Sequence, residues 1–194
     1  MKHHLIICAH PSPRSFSNLL TRKIAETTVH NGWTSHVRDL YAMGFNPVLS
    51  PNDLQQLKGG QTPVDIAEEQ KLVAKADMIT MVFPLWWASY PAIIKGYIDR
   101  VLTYGFAYKN GPNGIEGLLT GKKVLLFTSM GNSIEQYEEK NLLNAFEHTL
   151  GHEVFGFCGM EIVNHEFFPQ IPDASDDVKQ QYADKALAKY NGLW

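Results

Sequence analysis

Three short stretches of the chain are apolar at every position: Leu5 to Ala9 (LIICA), Met78 to Phe83 (MITMVF) and Val124 to Phe127 (VLLF). A strand with one wet face alternates polar and apolar residues, so uninterrupted runs predict strands of a parallel sheet covered on both faces. Thr34 to Asp39 is more polar and predicts a strand near a sheet edge, and Glu161 to Phe168 predicts the last strand. Helical stripes fall between these runs. Phe16, Leu19, Leu20 and Ile24 make one apolar face, and Ile66, Leu72, Val73 and Ala76 a second. Ile94, Tyr97, Ile98 and Val101 make a third, with Pro91 near the helix start, where a missing N–H costs nothing. Leu142, Phe146 and Leu150 mark a fourth helix and Val178, Tyr182, Ala186 and Tyr190 a fifth, N-capped by Ser175 ahead of Asp176 and Asp177. Strand and helix thus alternate five times, which predicts a doubly wound, three-layer α/β sandwich. No repeat or linker interrupts it, so residues 1–194 read as one domain. The stretch from Leu40 to Thr62 reads as a loop long enough to be functional rather than a simple connection.

In an open sheet of this kind, ligands bind beyond the carboxyl ends of the strands at the topological switch point. For the strand order 2-1-3-4-5 that point lies between the first and third strands. The loops expected to line it are His10 to Ser15, Pro84 to Tyr90 and Thr128 to Ser133. The first can offer the Ser15 and Ser17 hydroxyls, the N–H groups around Phe16 and a helix N-terminus to a phosphate. The second, with Trp86 and Trp87, can wall a planar ring. The third can present backbone N–H donors to a ring that gains negative charge on reduction. Together these demands suit a flavin.

Composition narrows the field further. With 17 basic and 20 acidic residues the net charge is -3, which disfavours nucleic acid as a partner because a duplex-binding protein usually carries a basic excess. Two cysteines, Cys8 and Cys158, do not make a disulfide framework and fit a reducing cytoplasm. The opening Met1 to His4 runs into the first strand without signal-peptide character, and no apolar run approaches a membrane span. A P-loop, a G-x-G-x-x-G turn and a G-x-S-x-G elbow are all missing, and His10 and Pro84 stand where a phosphoacceptor receiver needs acids. His148 and His152 are four apart with no third ligand evident, so no metal site is expected.

Several segments carry a resemblance. Ala9-His10-Pro11 with Ser15-Phe16-Ser17, the run from Asp39 to Ser50, and above all Phe83-Pro84-Leu85-Trp86-Trp87 continuing through Pro91 to Val101 and Gly105-Phe106-Ala107-Tyr108 resemble the NAD(P)H:quinone oxidoreductases, the DT-diaphorase-like branch of flavodoxin-like proteins. Phe157-Cys158-Gly159 matches as well. The resemblance implies a flavodoxin-like fold with a five-stranded parallel sheet of order 2-1-3-4-5. It also implies a homodimer with its site at the interface, holding FAD or FMN and passing hydride from NAD(P)H to quinones by a ping-pong route. His10, Ser15, Phe16 and Ser17 would hold the phosphate end of the flavin. Pro84, Leu85, Trp86, Trp87 and Ala88, with Ser129, Met130, Gly131 and Asn132, would line its ring. Phe106 and Tyr108 would serve the substrate pocket, and Tyr137 would be the catalytic tyrosine. Two positions depart from the family: Leu143 replaces the histidine paired with that tyrosine, and Asn110 replaces the second tyrosine of Tyr-x-Tyr. The segment from Tyr41 to Asp53 resembles FAD-binding members, which sets FAD ahead of FMN. Shorter bacterial relatives include partners of glutathione-gated potassium efflux systems. A regulatory role beside such a protein, at the inner membrane, is therefore the alternative, as is an azo- or nitro-reductase.

Overall fold

Every residue of the two central strands is buried or nearly so, and the chain is organised around that fact. The computed structural model describes residues 1–193. β1 (His3–Cys8), β2 (Thr34–Asp39), β3 (Met78–Pro84), β6 (Lys123–Ser129) and β7 (Glu161–Phe168) form one parallel sheet in the order β2-β1-β3-β6-β7, which is 2-1-3-4-5 counting this sheet alone. β3 is buried along its whole length, whereas the edge strands β2 and β7 are largely half-exposed. That is the pattern the apolar runs predict.

Because strand side chains alternate between faces, the sheet feeds two cores. Leu5, Ile7, Ile79, Met81 and Phe83 point to one and pack under α3 (Val64–Lys75) and α4 (Ala92–Val101). Ile6, Met78, Val82, Leu125 and Phe127 point to the other, beneath α1 (Phe16–His30) and α7 (Asp176–Tyr190). The helix ends follow from local chemistry. Ser15 caps α1 by accepting from the Asn18 N–H at 3.2 Å, and Ser175 caps α7 by accepting from the Val178 N–H at 3.3 Å.

Three features go beyond the alternating pattern. The stretch from Leu40 to Thr62, expected as loop, contains α2 (Pro51–Lys58), opened by a reciprocal capping box between Ser50 and Asp53. A hairpin of β4 (Tyr108–Gly111) and β5 (Gly114–Gly117) stands outside the main sheet. The helix expected on Leu142, Phe146 and Leu150 begins after α5 (Ile134–Glu138) as α6 (Leu142–Phe146) and continues as a π-helical segment over Glu147–Gly156. No helix among the described residues is long and apolar enough to cross a membrane.

Candidate active site

α1 leaves β1 toward one face of the sheet and α4 follows β3 on the other, so the two connections diverge and open a crevice at the carboxyl edge. A cavity of about 370 Å³ occupies it. His10, Arg14, Ser15 and Phe16 line it from the loop after β1, and Pro84, Leu85 and Trp86 from the loop after β3. Ser129, Met130 and Gly131 line it from the end of β6. The sequence reading missed a fourth wall, Ile171 and Pro172 after β7 and Lys179 in the first turns of α7. Two prolines flanking Gln170-Ile171 were the available signal for a rigid loop there.

The first loop presents backbone donors at a helix N-terminus. The N–H groups of Phe16 and Ser17 head α1 and find no acceptor among the described residues. No acid sits in the first turn of α1 to neutralise its positive end. Ser17 contributes through this N–H alone, since its side chain is buried and does not line the cavity. His10 accepts the Ser12 N–H on Nδ1 at 3.0 Å, which assigns the remaining proton to Nε2. Burial pushes its pKa down, so it is a neutral donor at pH 7.

The second loop is a strained turn. Trp86 and Ser89 exchange backbone hydrogen bonds at 3.1 and 3.0 Å. The two residues between them are left-handed, Trp87 at φ 51° and Ala88 at φ 55°. Both central residues at positive φ make a primed turn, which favours glycine or asparagine; two ordinary side chains there cost about 1–2 kcal/mol each. Trp87 is fully exposed, and neither it nor Ala88 lines the cavity. Their N–H groups have no acceptor among the described residues.

In the third loop, the Met130 N–H is committed to Phe168 O at 2.8 Å, and Met130 O accepts from Ile171 at 3.0 Å. The donors left without an internal acceptor are Gly131 and Asn132, although the Asn132 side chain lies outside the cavity. This stitching fixes the third loop against the fourth.

The remaining expected residues stand apart. Tyr137 is half-buried against Phe146, with ring centroids 5.9 Å apart, and does not reach the cavity. Phe106 packs on the core without lining it. Tyr108 borders a separate groove of about 360 Å³ with Leu54, Leu57, Asp99 and Tyr104. A third hollow of about 280 Å³ shares Arg14, Ser15, Phe16 and Lys179 with the main cavity and adds Arg22 and Asp176. The crevice therefore continues as a cation-bearing groove between α1 and α7.

Comparison with known proteins places the fold. Residues 2–192 match the model of a family described as having a flavodoxin-like fold. An NAD(P)H oxidoreductase of Haemophilus influenzae, itself described as uncharacterized, is 40% identical over 188 residues, covering 96% of this chain and 93% of its own. The ribosyldihydronicotinamide dehydrogenase [quinone] of Pongo abelii is 34% identical, covering 100% and 92%. The solved NAD(P)H:quinone oxidoreductase of Methanothermobacter marburgensis superposes with a TM-score of 0.85 at 30% identity, covering 99% and 96%.

Proposed function

The chain belongs to the family with the flavodoxin-like fold, and from that premise we propose that it is a flavin-dependent oxidoreductase using NAD(P)H to reduce quinones. One observation carries the reading: the loops after β1 and β6 bring backbone donors that have no internal acceptor, those of Phe16 and Gly131, to a single cavity at the switch point, and the loop after β3 walls it with Pro84, Leu85 and Trp86. A bound flavin supplies the reversible two-electron chemistry. The chain supplies orientation and field. The Phe16 and Ser17 N–H groups and His10 Nε2–H are placed for a phosphate. Those of Gly131 and Asn132 suit a ring oxygen that becomes negative on reduction. Leu85, Trp86 and Met130 exclude water from the ring.

The cationic groove beyond Phe16 favours FAD over FMN, because Arg14, Arg22 and Lys179 outnumber Asp176 and suit a second phosphate. Lys179→Ala is expected to weaken FAD about tenfold, or ~1.4 kcal/mol, and FMN much less. Isothermal titration with each flavin checks this, and equal losses would remove the preference. We assign Phe106 and Tyr108 to the site of a second copy. They lie outside the cavity of their own chain, Tyr104 and Phe157 expose apolar surface beside Tyr108, and Ile115 is exposed on the same hairpin. Two buried free thiols, Cys8 and Cys158, suit the cytoplasm.

Purified protein is expected to be yellow and to oxidise NADH or NADPH with a simple quinone and no added partner. Parallel lines in two-substrate kinetics follow if donor and acceptor use the cavity in turn; intersecting lines would exclude that sequence. A colourless protein that neither flavin reconstitutes overturns the assignment. Turnover that appears only with a potassium efflux protein present would favour the regulatory reading.

A further inference from the structure

We propose that Tyr90 is the positioning residue of the Trp86–Ser89 turn, holding it in shape through the hydrogen bond from its hydroxyl to Leu150 O on the π-helical segment. The turn cannot hold itself. Its own two hydrogen bonds only join its ends, Trp87 is fully exposed, and Ala88 and Ser89 are exposed as well. Its two central residues both occupy a backbone region that L side chains avoid. What fixes the turn must therefore lie at its flanks.

On the near side, the Leu85 N–H is tied to Ser129 O at 2.8 Å. On the far side stands Tyr90, only 7% exposed, its ring against Phe83 with centroids 5.0 Å apart. The ring packs like any aromatic; the hydroxyl is what reaches across to Leu150. Leu150 belongs to a stretch closed by a wide i→i−5 bond, Phe157 N–H to His152 O at 3.0 Å. A π-helical stretch frequently marks a functional place. Here it offers a carbonyl to the residue that follows the site turn.

The consequence for cofactor binding rests on the flavin reading, but the effect on the turn does not. Tyr90→Phe removes one oxygen and keeps the ring. Tyr190→Phe is the control, since it deletes another buried tyrosine hydroxyl, bonded to Glu166 on the opposite face of the sheet at 2.6 Å. In protein stripped of ligand, Tyr90→Phe is expected to speed hydrogen exchange at the Trp86 and Ser89 amides about tenfold, and Tyr190→Phe to leave them unchanged. Adding Trp87→Gly, which suits a left-handed position, restores protection. With FMN or FAD, Tyr90→Phe raises Kd about tenfold and shifts the visible spectrum of the bound flavin, whereas Tyr190→Phe does neither. Unchanged exchange, the same change in both variants, or a flavin Kd within twofold of the unaltered protein overturns the proposal. If the unaltered chain binds neither flavin, the parent reading fails, and the exchange experiment still decides what Tyr90 holds.

Discussion

Two histidines sit where a charge would be costly. His4, with no exposed surface, bridges Thr28 and Thr80 at 2.8 and 2.7 Å, and His165 contacts Thr128 at 2.8 Å. Burial lowers the pKa of each to about 3. In the unfolded chain a histidine titrates near 6.5, so below that pH the unfolded state binds more protons than the folded one. The stability contributed by their neutral forms is complete above 6.5 and is lost as the pH falls toward 3. At pH 5 the loss is about 2 kcal/mol for each. Urea unfolding at pH 7.5 and 5.0 is expected to show this fall, and His4→Gln to make it smaller by about 2 kcal/mol. A fall that is unchanged in that variant would place the acid sensitivity elsewhere. Asp53 shifts stability in the same sense, but at lower pH. Burial opposes its charge, but hydrogen bonds from Arg100 and Ser50 outweigh burial and hold the carboxyl below its usual range. Its loss on acidification therefore begins lower, leaving the window from 6.5 to 5 to the histidines.

At the scale of elements, the segment between β2 and α3 owes its order to one buried cation. Arg100 of α4 is bonded to Asp53 of α2 at 3.0 Å, to Asp65 of α3 at 2.7 Å and to Asn46 O at 2.8 Å. Arg100→Met leaves Asp53 buried without its partner and is expected to cost about 3 kcal/mol, read from denaturant midpoints. Gly96, one turn earlier on α4, lies so close to the same segment that a Cβ would stand 2.1 Å from Pro47 O. Gly96→Ala is therefore expected to lose about 1–3 kcal/mol by overpacking, and a neutral result would show that the segment yields. These elements also mark the limit of what the sequence makes legible. Apolar runs such as MITMVF announce β3 because burial on both faces leaves no other pattern. α2 has no apolar stripe to announce it, since its only buried residue is Asp53. Its capping box and Pro51 were the readable signs. The β4–β5 hairpin is likewise signalled only by Gly111-Pro112-Asn113-Gly114, a turn sequence rather than a hydrophobic period. The π-helical segment has no sequence mark, because Leu142, Phe146 and Leu150 satisfy an α-helical stripe equally well.

At the scale of the whole molecule, the sheet order was legible, and with it the place of the crevice. That is why nine of the expected site residues, from His10 to Gly131, line one cavity. Tyr137, Phe106 and Tyr108 were not placeable by the same logic: sequence spacing says nothing about whether a side chain serves its own chain or a neighbour. The proposed second copy would answer that question, and it carries its own prediction. Ile115→Glu, on the exposed hairpin, should shift sedimentation from dimer to monomer and cost most of the quinone reduction. A fully active monomer would sink the shared site. The net charge of -3 has a related meaning, since any phosphate the proposed cofactor brings would be held by local donors and the few cations at α1 and α7 rather than by the overall field. The exposed turn has one more consequence, an optical one. Of the tryptophans described, Trp86 lines the cavity and Trp87 is the adjacent residue, fully exposed, whereas Trp33 packs with the other core beside Lys2. Two indoles at the mouth of the crevice make the chain its own fluorescent reporter, and ligand occupancy can be followed through their emission without any added label.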